Sequence, residues 1–148
     1  PGNVVPLWPA FVEKGLAQLW GGYAKLNGAM EHTIMIAMGT AAPQKIGETM
    51  TADLDKQKQA VLAAVAANQL VTAAAHFKRH NYAVLAANDD GITIRDPNTR
   101  GAPAPVKWAG GDPPKDTWTS PLIFTWKEYL ELFQHTYGAR MQAQTGLS

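Results

Sequence analysis

The stretch HNYAVLAANDDGITIRDP, residues 80 to 97, opens one predicted strand with a histidine and closes the next with an aspartate. An imidazole can draw a proton from a nucleophile and later return it to a leaving group. A further polar group is then needed to hold its other nitrogen and fix the tautomer. His80 and Asp96 are residues of those types, and the stretch reads like one arm of a protease active site. The group such an imidazole would activate is absent: the chain has no cysteine, and no serine stands in a recognisable nucleophile setting. Taken singly, His80 also suits a surface or packed strand position. Asp96, ahead of Pro97, also suits a turn, because Asp-Pro favours one.

The other histidines offer less. His76 and His80 lie four apart, a metal-ligand spacing on a helix. The segment reads instead as strand, tight turn and strand, so no metal site is expected. His32 and His135 read as solvated or locally satisfied, and Lys78 and Arg79 as a solvated turn.

The elements that must position His80 and Asp96 fit in one domain spanning residues 1 to 148. A chain of that length buries roughly 70% of its unfolded surface. Apolar residues make up 46% and charged residues 17%, an ordinary globular balance. Net charge is +1, and the densest basic spot is Lys78-Arg79-His80, too little for a surface that tracks phosphates, so nucleic acid is not an expected partner. No run of about 18 apolar residues occurs, so no membrane association is expected. The start PGNVVPLWPA lacks the basic and apolar regions of a secretory signal. The expectation is a soluble chain whose compartment is left open. Without cysteine there are no disulfides and no thiolate metal sites. The chain begins at Pro1, so it is either trimmed or a piece of something longer.

Along the chain, residues 7 to 26 start with a helix: Pro9 suits its first turn, and Phe11, Val12, Leu16, Leu19, Trp20 and Tyr23 make one apolar stripe. Gly21-Gly22 strains or ends it. Residues 27 to 50 look irregular, with a short apolar run from Ile34 to Met38. A second helix is predicted from Ala52 to about Asn68, capped by Thr51, with Leu54, Val61, Leu62 and Val65 as its apolar positions. Residues 70–76, 80–87 and 91–95 read as strands. NDDG marks a hairpin between the last two, because Asn, Asp and Gly tolerate positive φ. Residues 97 to 121 read as a long Pro/Gly-rich loop. A third helix follows, with Thr125 and Glu128 as a capping box. Trp126, Tyr129, Leu130, Phe133 and Tyr137 fall on one face of it, and Gly138 is its stop. Residues 141 to 148 read as a frayed tail. The order predicts an α+β fold, an antiparallel sheet with flanking helices.

Four blocks of this sequence resemble calpain-type cysteine proteases. LWPAFVEKGLAQLWGGYAKLNG resembles that family's LWPALLEKAYAKLxGSYxxLxGG. NQLVTAAAH sits where the family has a small-residue strand before its catalytic histidine. HNYAVLAANDDGITIRDPNTRG resembles the HAYSV strand, hairpin and RxRNPWG strand end, and SPLIFTWKEYLELF resembles FWMSFEDFLRYF. The blocks come in the same order and cover about residues 7 to 135, leaving 136–148 as a tail.

The resemblance implies the second half of a papain-like protease core, the β-rich lobe that carries the histidine. The family's cysteine lies upstream in another lobe, so the implied partner is a Cys-bearing lobe or second polypeptide, and the substrate a protein. His80 then takes the place of the base and Asp96 that of the orienting asparagine, a change a carboxylate can serve. Asn98 replaces a tryptophan that shields the orienting bond, with Trp108 or Trp126 as candidates to compensate. Arg79 replaces a glycine beside the substrate backbone. Arg79, Asn98, Trp108 and Trp126 are thus the substrate-cleft candidates, and Trp118 shares the Pro/Gly loop with Trp108. Ala102 stands where the family has an acid associated with calcium, so calcium dependence is not carried over and no cofactor is expected. Two other functions stay open: a non-catalytic calpain-like interaction module, or a papain-like deamidase or transglutaminase, since the same triad serves each. A bacterial effector or toxin domain would suit this chain as context. Alone, the chain is expected to hydrolyse nothing.

Overall fold

The computed structural model describes residues 8–25, 43–48, 53–75, 80–97, 104–110 and 119–141. Helix α1 spans Trp8–Trp20 and ends where Gly21 (φ 84°) and Gly22 (φ 127°) enter conformations that other residues reach only with strain. A 3₁₀ turn, Tyr23–Lys25, follows. The predicted stripe is not one buried face: Ala17 is buried, while Leu19 and Tyr23 are 74% and 57% exposed. Two residues apart on a helix of 3.6 residues per turn, Ala17 and Leu19 point to nearly opposite sides. The glycine pair then breaks the register before Tyr23.

Helix α2 spans Leu54–Ala66, shorter than expected at both ends. Its N-cap is Asp53, whose side chain accepts from the Asp55 N–H at 3.0 Å; Thr51 lies outside the described residues. The last turn closes on Asn68 in the left-handed region (φ 52°), a known way to end a helix. Gln57, Val61 and Ala64 are its buried residues, and Leu54 is exposed.

Among the described residues, seven strands form one sheet: β1 (Gln44–Glu48), β2 (Leu70–Ala75), β3 (Asn81–Ala87), β4 (Ile92–Arg95), β5 (Val106–Lys107), β6 (Leu122–Phe124) and β7 (Phe133–Ala139). Their order is β1-β7-β2-β3-β4-β6-β5, antiparallel throughout except for the β5–β6 pair. The fold is therefore α+β, with three α-helices among the described residues and a mostly antiparallel sheet. Among the described residues, no helix is long and apolar enough to cross a membrane.

Four strands lie where none was expected. β1 falls inside residues 27–50, read as irregular; the apolar run Ile34 to Met38 lies outside the described residues. β5 occurs within the Pro/Gly-rich stretch, and β6 directly after it. The fourth replaces the end of the last helix. The capping box of Thr125 and Glu128 is present, but α3 covers only Trp126–Leu132. Phe133 is already extended (φ −112°, ψ 138°), and the chain runs on as β7 between β1 and β2. Phe133 and Tyr137 are thus strand residues, and Gly138 is a buried strand position opposite Val71 rather than a helix stop. The strand pairs at six positions with β2 and at four with β1, and satisfying that much backbone N–H and C=O outweighs a weak helical period.

The core lies on the sheet face covered by α2 and α3. Val61 of α2, Ala73 and Ala75 of β2, Tyr82 of β3, Ile92 and Ile94 of β4, Phe124 of β6, Tyr129 and Leu130 of α3 and Phe133 of β7 form one buried cluster. The sheet curls around it. Four strand spacings separate β7 from β6, about 19 Å if flat, yet the rings of Phe133 and Phe124 are 5.5 Å apart.

The β3–β4 hairpin forms as predicted, but none of Asn88, Asp89, Asp90 or Gly91 has a positive φ. The Asn88 side chain instead accepts from the N–H groups of Asp90 and Gly91, both at 3.0 Å, an Asx turn. Gly91 is required for another reason: a Cβ there would stand 2.2 Å from the Phe124 carbonyl oxygen. That neighbour is backbone and cannot swing aside. Gly91→Ala should therefore destabilise the fold by about 2–3 kcal/mol, the upper range for overpacking, read as a lower urea midpoint at unchanged slope. An unchanged midpoint would mean that β6 moves freely away from the hairpin.

Candidate active site

His80 stands one residue before β3, and Asp96 one residue after β4. Side chains alternate along a strand, so His80, Tyr82 and Val84 share a face, as do Ile92, Ile94 and Asp96. The register pairs Val84 with Ile94 and Ala83 with Arg95. Continued outward, it sets Tyr82 opposite Asp96 and His80 diagonal to that carboxylate, within reach of a long side chain. His80 Nε2 and Asp96 Oδ1 are 3.0 Å apart. The backbone at His80 is also held, since its carbonyl accepts from the Ala75 N–H at the end of β2.

The pair is unevenly buried. Asp96 is 3% exposed, and the His80 side chain 27%. A carboxylate so enclosed is stable only with hydrogen-bonding partners, and His80 is one. Carboxylates accept, so Nε2–H donates, and in the neutral ring the lone pair falls on Nδ1. That nitrogen makes no hydrogen bond among the described residues. The arrangement can therefore accept a proton at Nδ1 while the opposite side of the ring is held.

Tyr82 completes the local structure and was not among the sequence candidates. Its ring and the His80 imidazole make a T-shaped contact, with centroids 4.7 Å apart and planes at 81°. It is 1% exposed, and its other side meets Phe133 at 5.6 Å. Burial, and then the nearby charge of Asp96, pushes the Tyr82 phenol up from 10.0 to about 12. The signal available in the sequence was its position two residues after His80, which on a strand means the same face.

The other candidates fall elsewhere. Trp126 donates its indole N–H to the Asn88 carbonyl at 2.9 Å, which places it at the tip of the hairpin, the far end from His80 and Asp96. Trp108 follows β5, and its backbone N–H donates to Ile123. Its ring contacts Phe124 at 5.5 Å, and Phe124 pairs with Ile92, so Trp108 lies level with the tip side of β4. Both tryptophans pack against the core cluster, and among the described residues Tyr82 is the ring seated against His80. Arg79, Asn98, Ala102 and Trp118 lie outside the described residues, as do His32, His76 and Lys78. His135 lies on β7, paired with Ala74 of β2. Among the described residues, no group of three or more His, Asp or Glu side chains converges as a metal site.

Comparison of the chain with protein-family models, with curated proteins and with solved structures finds no match.

The buried phenols give the fold an alkaline limit. Tyr82 is pushed up to about 12, and burial raises Tyr129 further, its hydrogen bond to Thr136 only partly opposing this. Both bind their protons more tightly folded than unfolded. Their contribution to stability is therefore complete below pH 10 and lost as pH rises through about 12. The urea midpoint should fall across that window, and Tyr82→Phe should flatten part of the fall. A midpoint constant over the window would show that the phenols are hydrated.

Proposed function

We propose that this chain is the His/Asp-bearing, papain-like lobe of a calpain-type cysteine protease, competent for peptide-bond hydrolysis when a Cys-bearing lobe or second polypeptide completes the site. The observation that carries this reading is the 3.0 Å contact between His80 Nε2 and the buried Asp96 Oδ1. The sequence resemblance implies those two residues as base and orienter, and sixteen positions apart they meet at one end of a hairpin. The ordered blocks of resemblance and the curled, mostly antiparallel sheet support the same reading.

In the completed site, a cysteine thiol would lie against Nδ1. The imidazole takes its proton, the thiolate attacks the peptide carbonyl, and the imidazolium then returns a proton to the departing amine. Asp96 holds Nε2–H throughout, which keeps Nδ1 facing the thiol and offsets the positive charge on the ring.

The test is to purify the chain with whatever completes it and treat the assembly with an epoxide-bearing peptide that alkylates activated thiols. One labelled cysteine in a co-purifying segment, with cleavage of a protein substrate, is the expected result. Released ammonia or a crosslink without cleavage would assign the pair to a deamidase or transglutaminase instead. His80→Ala should lower turnover at least about a hundredfold, the low end of what a general base contributes, with the fold intact by circular dichroism. Retained turnover would sink the catalytic reading. Asp96→Asn should keep substantial activity, within roughly tenfold, because an amide oxygen also accepts from the ring N–H; complete loss would show that the negative charge itself is needed.

A further inference from the structure

A histidine bonded at one nitrogen can still fail as a base if its ring rotates. The Cβ–Cγ torsion of histidine is broad, and a half-turn about it moves Nε2 away from its acceptor and carries Nδ1 to the other side. Asp96 supplies one hydrogen bond to His80, and 27% of the His80 side chain remains open to water. Water could therefore compete for the bond unless something fills the space beside the ring.

Tyr82 occupies that space. Its ring stands at 81° to the imidazole with centroids 4.7 Å apart, the edge-to-face arrangement that aromatic pairs prefer. The tyrosine is itself immobilised: it is 1% exposed, and Phe133, with no exposed surface, meets it at 5.6 Å and 86°. Phe133 is in turn stacked on Tyr129 at 5.0 Å and meets Phe124 at 5.5 Å. The strand register sets Tyr82 opposite Asp96, so the same ring flanks both members of the pair.

We propose that Tyr82 is a positioning residue for His80: its ring blocks rotation of the imidazole and keeps water from the Nε2–Asp96 bond, so that a single tautomer presents Nδ1. Its importance for turnover rests on the protease reading of His80, whereas its effect on the ring can be measured without a substrate. The ring, not the hydroxyl, does this, because it is the ring that meets the imidazole.

The experiment is two-bond proton–nitrogen correlation NMR of the histidine side chains in the full chain at neutral pH. For the wild type, the His80 ring should be essentially all in the Nε2–H tautomer, with that proton visible through slow exchange with water. Tyr82→Phe should retain both signatures. Tyr82→Leu should mix the tautomers and speed exchange of the Nε2 proton by roughly tenfold, the scale of one hydrogen bond. Mixed tautomers in the wild type overturn the proposal, as do loss of the signatures in Tyr82→Phe or their full retention in a folded Tyr82→Leu. If Tyr82→Leu does not fold, the wild-type and Tyr82→Phe spectra decide alone. The protease reading fails separately: a single wild-type tautomer alongside turnover that survives His80→Ala would remove that reading and leave the positioning role standing.

Discussion

Phe133 has no exposed surface, and three other rings close on it. Tyr82 comes from β3, Phe124 from β6 and Tyr129 from α3, so one side chain ties together elements that are far apart in the sheet order. The chain can reach that arrangement only by leaving the helix at Leu132 and entering β7 at once. Tyr129 then bonds through its hydroxyl to Thr136, three residues further along the strand than Phe133. Burial of an aromatic ring is among the larger single contributions a small core can have. Curl of the sheet, the short last helix and the seat of Tyr82 all follow from how this ring is packed.

The β3–β4 hairpin extends from that core in two directions with different consequences. Its tip is fastened to both helices that cover the sheet. Lys58 of α2 donates to the Asp89 carbonyl at 2.9 Å and pairs with its carboxylate at 3.1 Å, and Trp126 at the start of α3 donates to Asn88. Asp89 is largely exposed, so the ion pair itself contributes little; the geometric restraint is what matters. The opposite end carries His80 and Asp96. A hairpin held at its tip and packed along its length delivers those two side chains at a set separation.

The pair also illustrates why a site and a core can share a residue. Enclosing Asp96 would be costly without partners, and one of them is an imidazole whose other nitrogen makes no hydrogen bond among the described residues. Tyr82 belongs to the core by burial and to the site by contact. A change there acts on both, whereas Trp108 and Trp126, equally aromatic, act on the fold at the other end of the sheet.

The sequence by itself determined the local features. Asx and glycine residues marked the hairpin, Thr125 and Glu128 marked the start of α3, and alternation placed His80 and Asp96 at the outer ends of two strands. These are short-range effects, decided by neighbouring residues and by a period of two. Only the tertiary structure decided that Phe133–Ala139 is a strand, because apolar residues at 126, 129, 130 and 133 suit a helix equally well until β1 and β2 offer their edges. It also decided that Gly91 is needed for contact with Phe124 rather than for its φ, and that Tyr82, rather than Trp108 or Trp126, lies beside His80. Each of these depends on which strands become neighbours, and strand order is set by how the whole core closes around Phe133, which no window of adjacent residues contains.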